Sequence, residues 1–454
     1  MKIDSLKVEK LYGYIDKKIN FNSDLTLLVG INGSGKTSIL NLLNWIISPS
    51  LPHLCITEFK TITLSFTLKK ETYEVVCKHN KTSFHYKIKS SKKEYHPLII
   101  KTHKHPSQIH NDEILRSNLI ENYTGLTPDE KEKETWELIS TFPNPNIIGL
   151  DRNLYTEESS NKIYFDEGLK SRLARKQSKS SISPLDRVKE LINREYRKRK
   201  NLVLNLTSSL KNHLMLSTFD GSITIESFTS GIRYKLTLTQ IENAEKRVNE
   251  YFKKFEETTF TNKEKDTIDL YFSQLKNIIK QYQNKPEDES IKLLYGLNAN
   301  QFIKVRKLLT EFEKFENKSH AIMRDIEIYV DTLNFFLKDS AKKILFKEDT
   351  SELTFSTLDK KGEVITAYKD INYLSSGEQQ VLILFSYIAF NSKDGKVFII
   401  DEPELSLHIK WQEDFLEKLE LITPKSTQLI LATHSPILAN KKKSKAITLL
   451  PYNV

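Results

Sequence analysis

One octapeptide limits what this chain can fold into more than any other feature. Gly30-Ile31-Asn32-Gly33-Ser34-Gly35-Lys36-Thr37 fits the spacing G-x-x-x-x-G-K-[ST]. A short apolar run, Leu25, Leu27, Leu28 and Val29, leads into it. Ile39, Leu40, Leu42, Leu43 and Ile46 follow it at helical spacing, so strand, Gly-rich turn and helix come in that order. Gly30, Gly33 and Gly35 let the backbone wrap a phosphate closely, and the amides of the helix N-terminus point at its oxygens. Lys36 is placed to neutralise phosphate charge, and the Thr37 hydroxyl to ligate a divalent cation. A chance Gly-rich turn is the competing reading, and the full match in context argues against it.

The rest of the chain falls into three stretches. Residues 1–154 open with a β-ribbon and then alternate strictly: Ile62, Leu64, Phe66 and Leu68, then Tyr73, Val75 and Cys77, then Phe84, Tyr86 and Ile88. Such alternation predicts an antiparallel meander with one buried face. A short strand is expected over Ile147–Leu150. Residues 155–345 read as a helical insertion, with hairpins folded into an arm. Ser183, Pro184 and Asp186 suit N-cap, N1 and N3 of a helix. Phe302 to Phe315 and Ile322 to Leu337 keep a helical period, and a small strand excursion is expected over 217–228. In 346–454 the sheet resumes with a hairpin, Leu353–Thr357 and Val364–Tyr368, then strands at Val397–Ile400, Leu429–Ala432 and Ile447–Leu450, with a helix at His408–Leu421. Strand–helix alternation predicts a parallel sheet with helices packed on it, an α/β class with a mixed sheet, a meander and a large helical insertion.

Three more motifs bear chemistry. The strand Val397–Ile400 ends in Asp401-Glu402. One acid at a strand tip beside a phosphate loop can hold Mg²⁺, and a second can orient the attacking water and accept its proton. The competing reading is a helix start. The run Leu374-Ser375-Ser376-Gly377-Glu378-Gln379-Gln380 opens an apolar helix and forms a second anion site from a hydroxyl, an amide and a helix N-terminus. One nucleotide does not need two such sites, but two copies placed head to tail use both. His434 follows a strand, where histidine is most often structural but can also reach a γ-phosphate.

Together these residues resemble the ABC ATPase superfamily. GINGSGKT looks like its Walker A, LSSGEQQ its signature, FIIDE its Walker B, ELSLH its D-loop and His434 its switch histidine. The resemblance implies ATP and Mg²⁺ as cofactors. It assigns Gly30, Asn32, Gly33, Ser34, Gly35, Lys36, Thr37 and Ser38, with Ser375, Ser376, Gly377 and Glu378 acting in trans, to the nucleotide. Thr37 and Asp401 fall to the metal, Glu402 and His434 to catalysis, and Tyr12 or Tyr14 to stacking on adenine. The family's loop glutamine has no clear counterpart; Ile147–Arg152 takes its place.

More than three hundred residues separate Lys36 from Ser376. The insertion, LSSGEQQ and DEPELSLHIKWQ are similar to the branch of SMC-like, RecF-like and OLD-family ATPases. LYGYIDKKINF ahead of the loop most resembles stand-alone ATPase subunits of anti-phage systems such as Septu and PARIS. Only 20 residues follow His434, so the Toprim nuclease domain of OLD enzymes is not expected in that place. The resemblance implies a homo-oligomer, at least a head-to-tail dimer, and a separate effector encoded nearby, with DNA or a phage protein as candidate triggers. A DNA repair ATPase and, more remotely, a transporter subunit are the alternatives.

Bulk properties narrow this little. Two cysteines, Cys55 and Cys77, argue against a disulfide framework and for a reducing cytosol. No apolar run approaches the ~18 residues of a membrane span, so no membrane partner is expected. The net charge of +10 permits an anionic partner, or the Lys-rich, Gly-poor composition reflects an AT-rich genome. Arg172 to Lys200 holds 11 Lys/Arg against 3 Asp/Glu, which reads either as a phosphate grip or as a solvated helix face. His103, His105 and His110 lack partners in register and are not expected to bind metal.

Overall fold

The structure, a computed structural model, describes residues 1–454 except 103, 110–112, 125, 149–153, 156–182, 220–236, 256–261, 392–395, 406 and 451–454. The described chain divides into two compact units, Met1–Glu195 with Asp325–Val454, and Tyr196–Arg324.

In the first unit, β1 (Lys2–Leu11) and β2 (Ile15–Asn20) form the expected ribbon, and β3 (Leu25–Val29) is the strand ahead of the Gly-rich turn. The three alternating runs become β4 (Thr61–Leu68), β5 (Glu71–His79) and β6 (Ser83–Ser90), to which β7 (Leu98–Lys101) adds an edge. The sheet order is β2-β1-β4-β5-β6-β7. Alternation puts Ile62, Leu64, Phe66, Val75, Cys77, Phe84, Tyr86 and Ile88 in one buried cluster with Ile39, Leu42, Leu43 and Ile46 of the Lys36–Ile47 helix. The buried Tyr86 hydroxyl donates to the Ile46 carbonyl at 2.8 Å.

A second sheet takes in β8 (Asn146–Ile148) and β9 (Leu154–Tyr155). Past β10 (Lys342–Phe346), β11 (Leu353–Leu358) and β12 (Val364–Asp370), it continues with β13 (Val397–Asp401), β14 (Gln428–Thr433) and β15 (Ala446–Thr448). Its order is β15-β3-β14-β13-β8-β9, with every pair parallel except β8–β9. β13 and β14 are buried along their whole length, as parallel strands covered on both faces must be. The hairpin over 353–368 does not rejoin this sheet. It forms a separate sheet, β10-β11-β12, in which β12 is an edge strand exposed from Val364 to Lys369.

The helix Pro184–Phe219 starts as its sequence requires: the Ser183 hydroxyl accepts from the Asp186 amide at 3.1 Å. It runs through 217–219, where a strand excursion was expected, and 220–228 lie outside the described residues. The C-terminal part of the Ala299–Leu337 helix packs on the Ser376–Asn391 helix. There Tyr329 and Ser386 share a buried hydroxyl contact at 2.7 Å, and the Phe336 and Phe385 rings meet at 5.3 Å. Tyr196–Arg324 has its own core, in which Ile241, Phe272, Leu275, Ile279, Tyr295 and Phe302 pack together, and Lys276 bridges both oxygens of Glu245 at 2.8 and 3.0 Å. No described helix is long and apolar enough to cross a membrane.

Gln428 joins the two large sheets. Its buried amide accepts from the Ile3 nitrogen at 2.7 Å and donates to the Ile3 and Asn22 carbonyls, each at 2.8 Å. Both backbone groups of Ile3 thus depend on one side chain. Gln428→Leu should lower unfolding free energy by about 3 kcal/mol, the cost of burying these groups unpaired. Chemical denaturation measures this, and a loss below about 0.5 kcal/mol, within the range of ordinary surface substitutions, refutes the role.

Candidate nucleotide-binding site

Three neighbouring strands, in the order β3, β14, β13, run parallel, so their carboxyl ends lie at one edge of the sheet. Open parallel sheets bind ligands outside such an edge. The chain leaves β3 into Gly30–Thr37, β13 ends in Asp401 and Glu402, and β14 delivers His434. Register aligns Thr433 with Val29 and Ala432 with Asp401, so the strap carrying His434 lies between the other two motifs.

The loop's shape follows from its glycines. A Cβ on Gly30 would stand 2.6 Å from the Leu449 carbonyl and collide with the Ser34 hydroxyl. Gly33 and Gly35 have φ of 80° and 90°, a region that disfavours side chains. A Cβ on Gly33 would meet nothing within 4 Å, which leaves the loop open on that side. Asn32 and Thr37 are exposed and Ser38 half-buried, while Ser34 is buried with its hydroxyl lacking a hydrogen-bond partner. Lys36 is 5% exposed and folds back, donating to the Gly30 and Ile31 carbonyls at 2.8 and 3.2 Å. The turn carrying Tyr12 and Tyr14 lies beside the loop, since a Cβ on Gly35 would sit 3.4 Å from Ile15, and Tyr14 is 62% exposed.

Thr37 and Asp401 meet: the Thr37 hydroxyl donates to Asp401 Oδ2 at 2.8 Å. Asp401 Oδ1 is buried and has no hydrogen-bond partner. Burial pushes the Asp401 carboxyl above its ordinary range; the Thr37 bond and Lys36 oppose this, while Glu402 and Glu404 add to it. A buried carboxylate with one empty oxygen and a hydroxyl beside it is a hard donor set of the kind Mg²⁺ takes. Glu402 has φ of 47°, and its amide donates to the Ala432 carbonyl at 2.8 Å, so the turn begins while the ladder to β14 is still closed. His434 Nδ1 lies 3.7 Å from Glu402 Oε1 and 3.3 Å from Glu404 Oε1.

The second motif stands apart. Ser375 and Ser376 are exposed and Gly377 is half-buried at the start of the Ser376–Asn391 helix. Among the described residues, no hydrogen bond or ion pair joins them to Gly30–Thr37. Glu378 turns inward: its carboxylate accepts from the Ser340 hydroxyl, Lys342 Nζ and the Ser375 amide, each at 2.7 Å. Burial works to raise the Glu378 carboxyl, but Lys342, Ser340 and Ser375 outweigh it and hold it low. Its carboxylate is thus engaged in holding the helix start. Sequence reasoning missed Ser340 and Lys342 and gave Glu404 no role of its own within ELSLH; S-x-x-E over Ser375–Glu378 was the available signal for the helix cap. Of Ile147–Arg152, Ile147 and Ile148 belong to β8 and 149–152 lie outside the described residues. His103 and His110 also lie outside them, and His105 Nδ1 contacts the Ser107 hydroxyl at 2.8 Å.

Against known proteins, the AAA ATPase domain family matches residues 1–439. The chain belongs to that family. A stretch of 159 residues of this AAA ATPase chain is 26% identical to a retron Vc95 probable ATPase of Vibrio cholerae serotype O1 biovar El Tor, covering 32% of the chain and 29% of that protein. Another of 88 residues is 38% identical to a retron Ec83 probable ATPase of Escherichia coli, covering 17% of the chain and 16% of that protein. The chain therefore spans less than a third of either relative. The SMC head domain from Thermotoga maritima aligns over 97% of this chain and 92% of its own at 10% identity, with a TM-score of 0.36.

The left-handed backbone at Glu402 gives a test of strain at the site. Glu402→Gly should raise unfolding free energy by about 1 kcal/mol, because glycine relieves a conformation that strains a side-chain-bearing residue. Calorimetry decides: an unchanged or lower melting temperature shows that the turn is not strained.

Proposed function

We propose that this chain binds Mg-ATP on Gly30–Thr37 and hydrolyses it, and that its nucleotide state governs pairing with a second copy and with a separate effector. The contact between Thr37 and Asp401, 364 residues apart and with the buried Asp401 Oδ1 making no hydrogen bond within the protein, carries the nucleotide reading. Thr37 and Asp401 would hold Mg²⁺, which when bound neutralises charge on the β- and γ-phosphates. Lys36 exchanges its two carbonyl partners for phosphate oxygens. Glu402 orients the attacking water and accepts its proton, and His434 contacts the γ-phosphate. Ser375, Ser376 and Gly377, which are free of the phosphate loop of their own copy, would cap the nucleotide of a partner copy.

A role in anti-phage defence is supported by the retron relatives and by the resemblance to stand-alone ATPase subunits of defence systems. In this reading DNA or a phage protein is the trigger, and a nuclease or toxin on another chain does the damage. Lys36→Ala should weaken ATP binding about a hundredfold, and Glu402→Gln should slow turnover about a hundredfold and accumulate an ATP-bound dimer. Nucleotide titration and light scattering with Mg-ATP check both. Hydrolysis by Glu402→Gln at the parental rate refutes the catalytic assignment.

A second reading, a DNA repair ATPase, has one observation in its favour. An open groove of about 480 Å³ beside β1 and β2 is lined by Lys7, Lys10, Lys17, Lys18 and Lys60, with Glu9 and Asp16 among them paired to Lys7 and Lys10. Lys7 and Lys18 stand directly opposite each other across the strands, and Lys7 is paired with Glu9 at 2.7 Å, which leaves Lys17 and Lys18 as the groove's lysines without a carboxylate of the groove beside them. The basic run Arg172–Lys200 favours it less. Part of that run lies outside the described residues, and Arg197, Arg199 and Lys200 already take part in interactions within the fold. Replacing Lys17 and Lys18 by Glu should abolish stimulation by duplex DNA and reduce the salt slope of binding by about 2. Absence of duplex stimulation at low salt removes this reading.

A further inference from the structure

The ATPase reading leaves Glu404 without a task, yet it is among the most heavily bonded side chains at the sheet edge. It is 5% exposed and lies two residues beyond Glu402. Its Oε1 accepts from the Thr433 hydroxyl at 2.6 Å, the His434 amide at 2.8 Å and the Ser435 amide at 3.1 Å. His434 Nδ1 stands 3.3 Å from the same oxygen. Its Oε2 is buried with no hydrogen-bond partner. A carboxylate buried only to satisfy the fold would gain by spreading its donors over both oxygens. Here every donor comes from one strap, Thr433–Ser435, and converges on one oxygen.

We propose that Glu404 is a positioning residue for His434, acting on the hydrolysis proposed above, and that it sets which edge of the imidazole faces the nucleotide. The torsion that flips an imidazole is broad and weakly restrained by itself. What fixes a ring is the bond made by its inner nitrogen. With Nδ1 turned toward Glu404 and Glu402, the Nε2 edge is left on the opposite side of the ring, and the side chain is 40% exposed. The strap is held from a second direction as well. The Ser435 hydroxyl contacts Gln412 Oε1 at 2.7 Å, and Gln412 Nε2 donates to the Leu407 carbonyl at 3.1 Å. The turn after β13 and the strap after β14 are therefore tied at Glu404 and again at Leu407. A displacement of the turn carries His434 with it.

Two variants and a background separate this role from general support. Glu404→Gln keeps an oxygen acceptor and should retain kcat within about threefold, whereas Glu404→Leu removes the acceptor and should lower kcat about thirtyfold with KM within about twofold. In a His434→Ala background, Glu404→Leu should change the residual kcat by less than about twofold, since a residue that acts through another adds nothing once the other is gone. Hydrogen exchange by mass spectrometry, without nucleotide, reads the position independently of turnover. The His434 and Ser435 amides should exchange at least about tenfold faster in Glu404→Leu but at the parental rate in Glu404→Gln, with β3 unaffected in both. If Glu404→Leu does not fold, Thr433→Val removes one donor to the same oxygen and should lower kcat about fivefold, again only when His434 is present. Unchanged exchange in the variant overturns the proposal, as does an equal kcat loss with and without His434. If the parental protein hydrolyses no ATP, the ATPase reading fails on that result, while the exchange data alone decide whether Glu404 holds the strap.

Discussion

Parallel pairing of β3, β14 and β13 is the constraint on which the chemistry depends. It sets the phosphate loop, the acidic strand tip and the His434 strap side by side at one edge, with no element spanning the distances between them. The hydrogen bond from Thr37 to Asp401 closes that edge. A one-residue slip of β13 against β14 would move Asp401 away from Thr37 and turn buried apolar side chains the wrong way. Full burial of both strands makes such a slip costly, and the Gln428 clamp holds the other end of β14 in place against β1.

The site brings three carboxylates, a lysine and a histidine together at one sheet edge. Asp401 and Glu404 each keep one buried oxygen without a hydrogen-bond partner, and Glu402 sits in a left-handed turn. These features work against stability. Binding of a cation and a polyanion, as proposed above, would offset them. Lys36 illustrates the same point, because its ammonium rests on two carbonyls of its own loop. Glu378 differs, since all the charge it carries is answered by Lys342 and its hydrogen-bonding neighbours.

Much of this was legible in the sequence where the signal is local. The glycine spacing, the apolar strands ending in Asp401 and before His434, the meander alternation and the Ser183 cap each involve a few consecutive residues. Membership of the third sheet was not legible, because hairpin alternation says which strands pair and not which sheet receives them. Gln428 and Glu404 were not legible either. A buried glutamine or glutamate looks like any surface residue until its partners, Ile3 or Thr433–Ser435, are brought to it from elsewhere in the chain. Glu378 read as part of a nucleotide contact because its neighbours Ser376 and Gly377 carry that pattern, while the lysine that claims it lies 36 residues upstream.

The position of β3 has a consequence for synthesis. It is flanked on one side by β14 and on the other by β15, both of which follow the loop it carries at a long distance along the chain. Chains emerging N-terminus first cannot complete such a sheet until β14 and β15 have been made. The antiparallel meander, whose partners are close in sequence, can form much earlier. A nascent chain would thus carry a folded lobe and an unsupported phosphate loop. Until then β3, and the Gly-rich turn that follows it, has neither of its neighbours in the sheet.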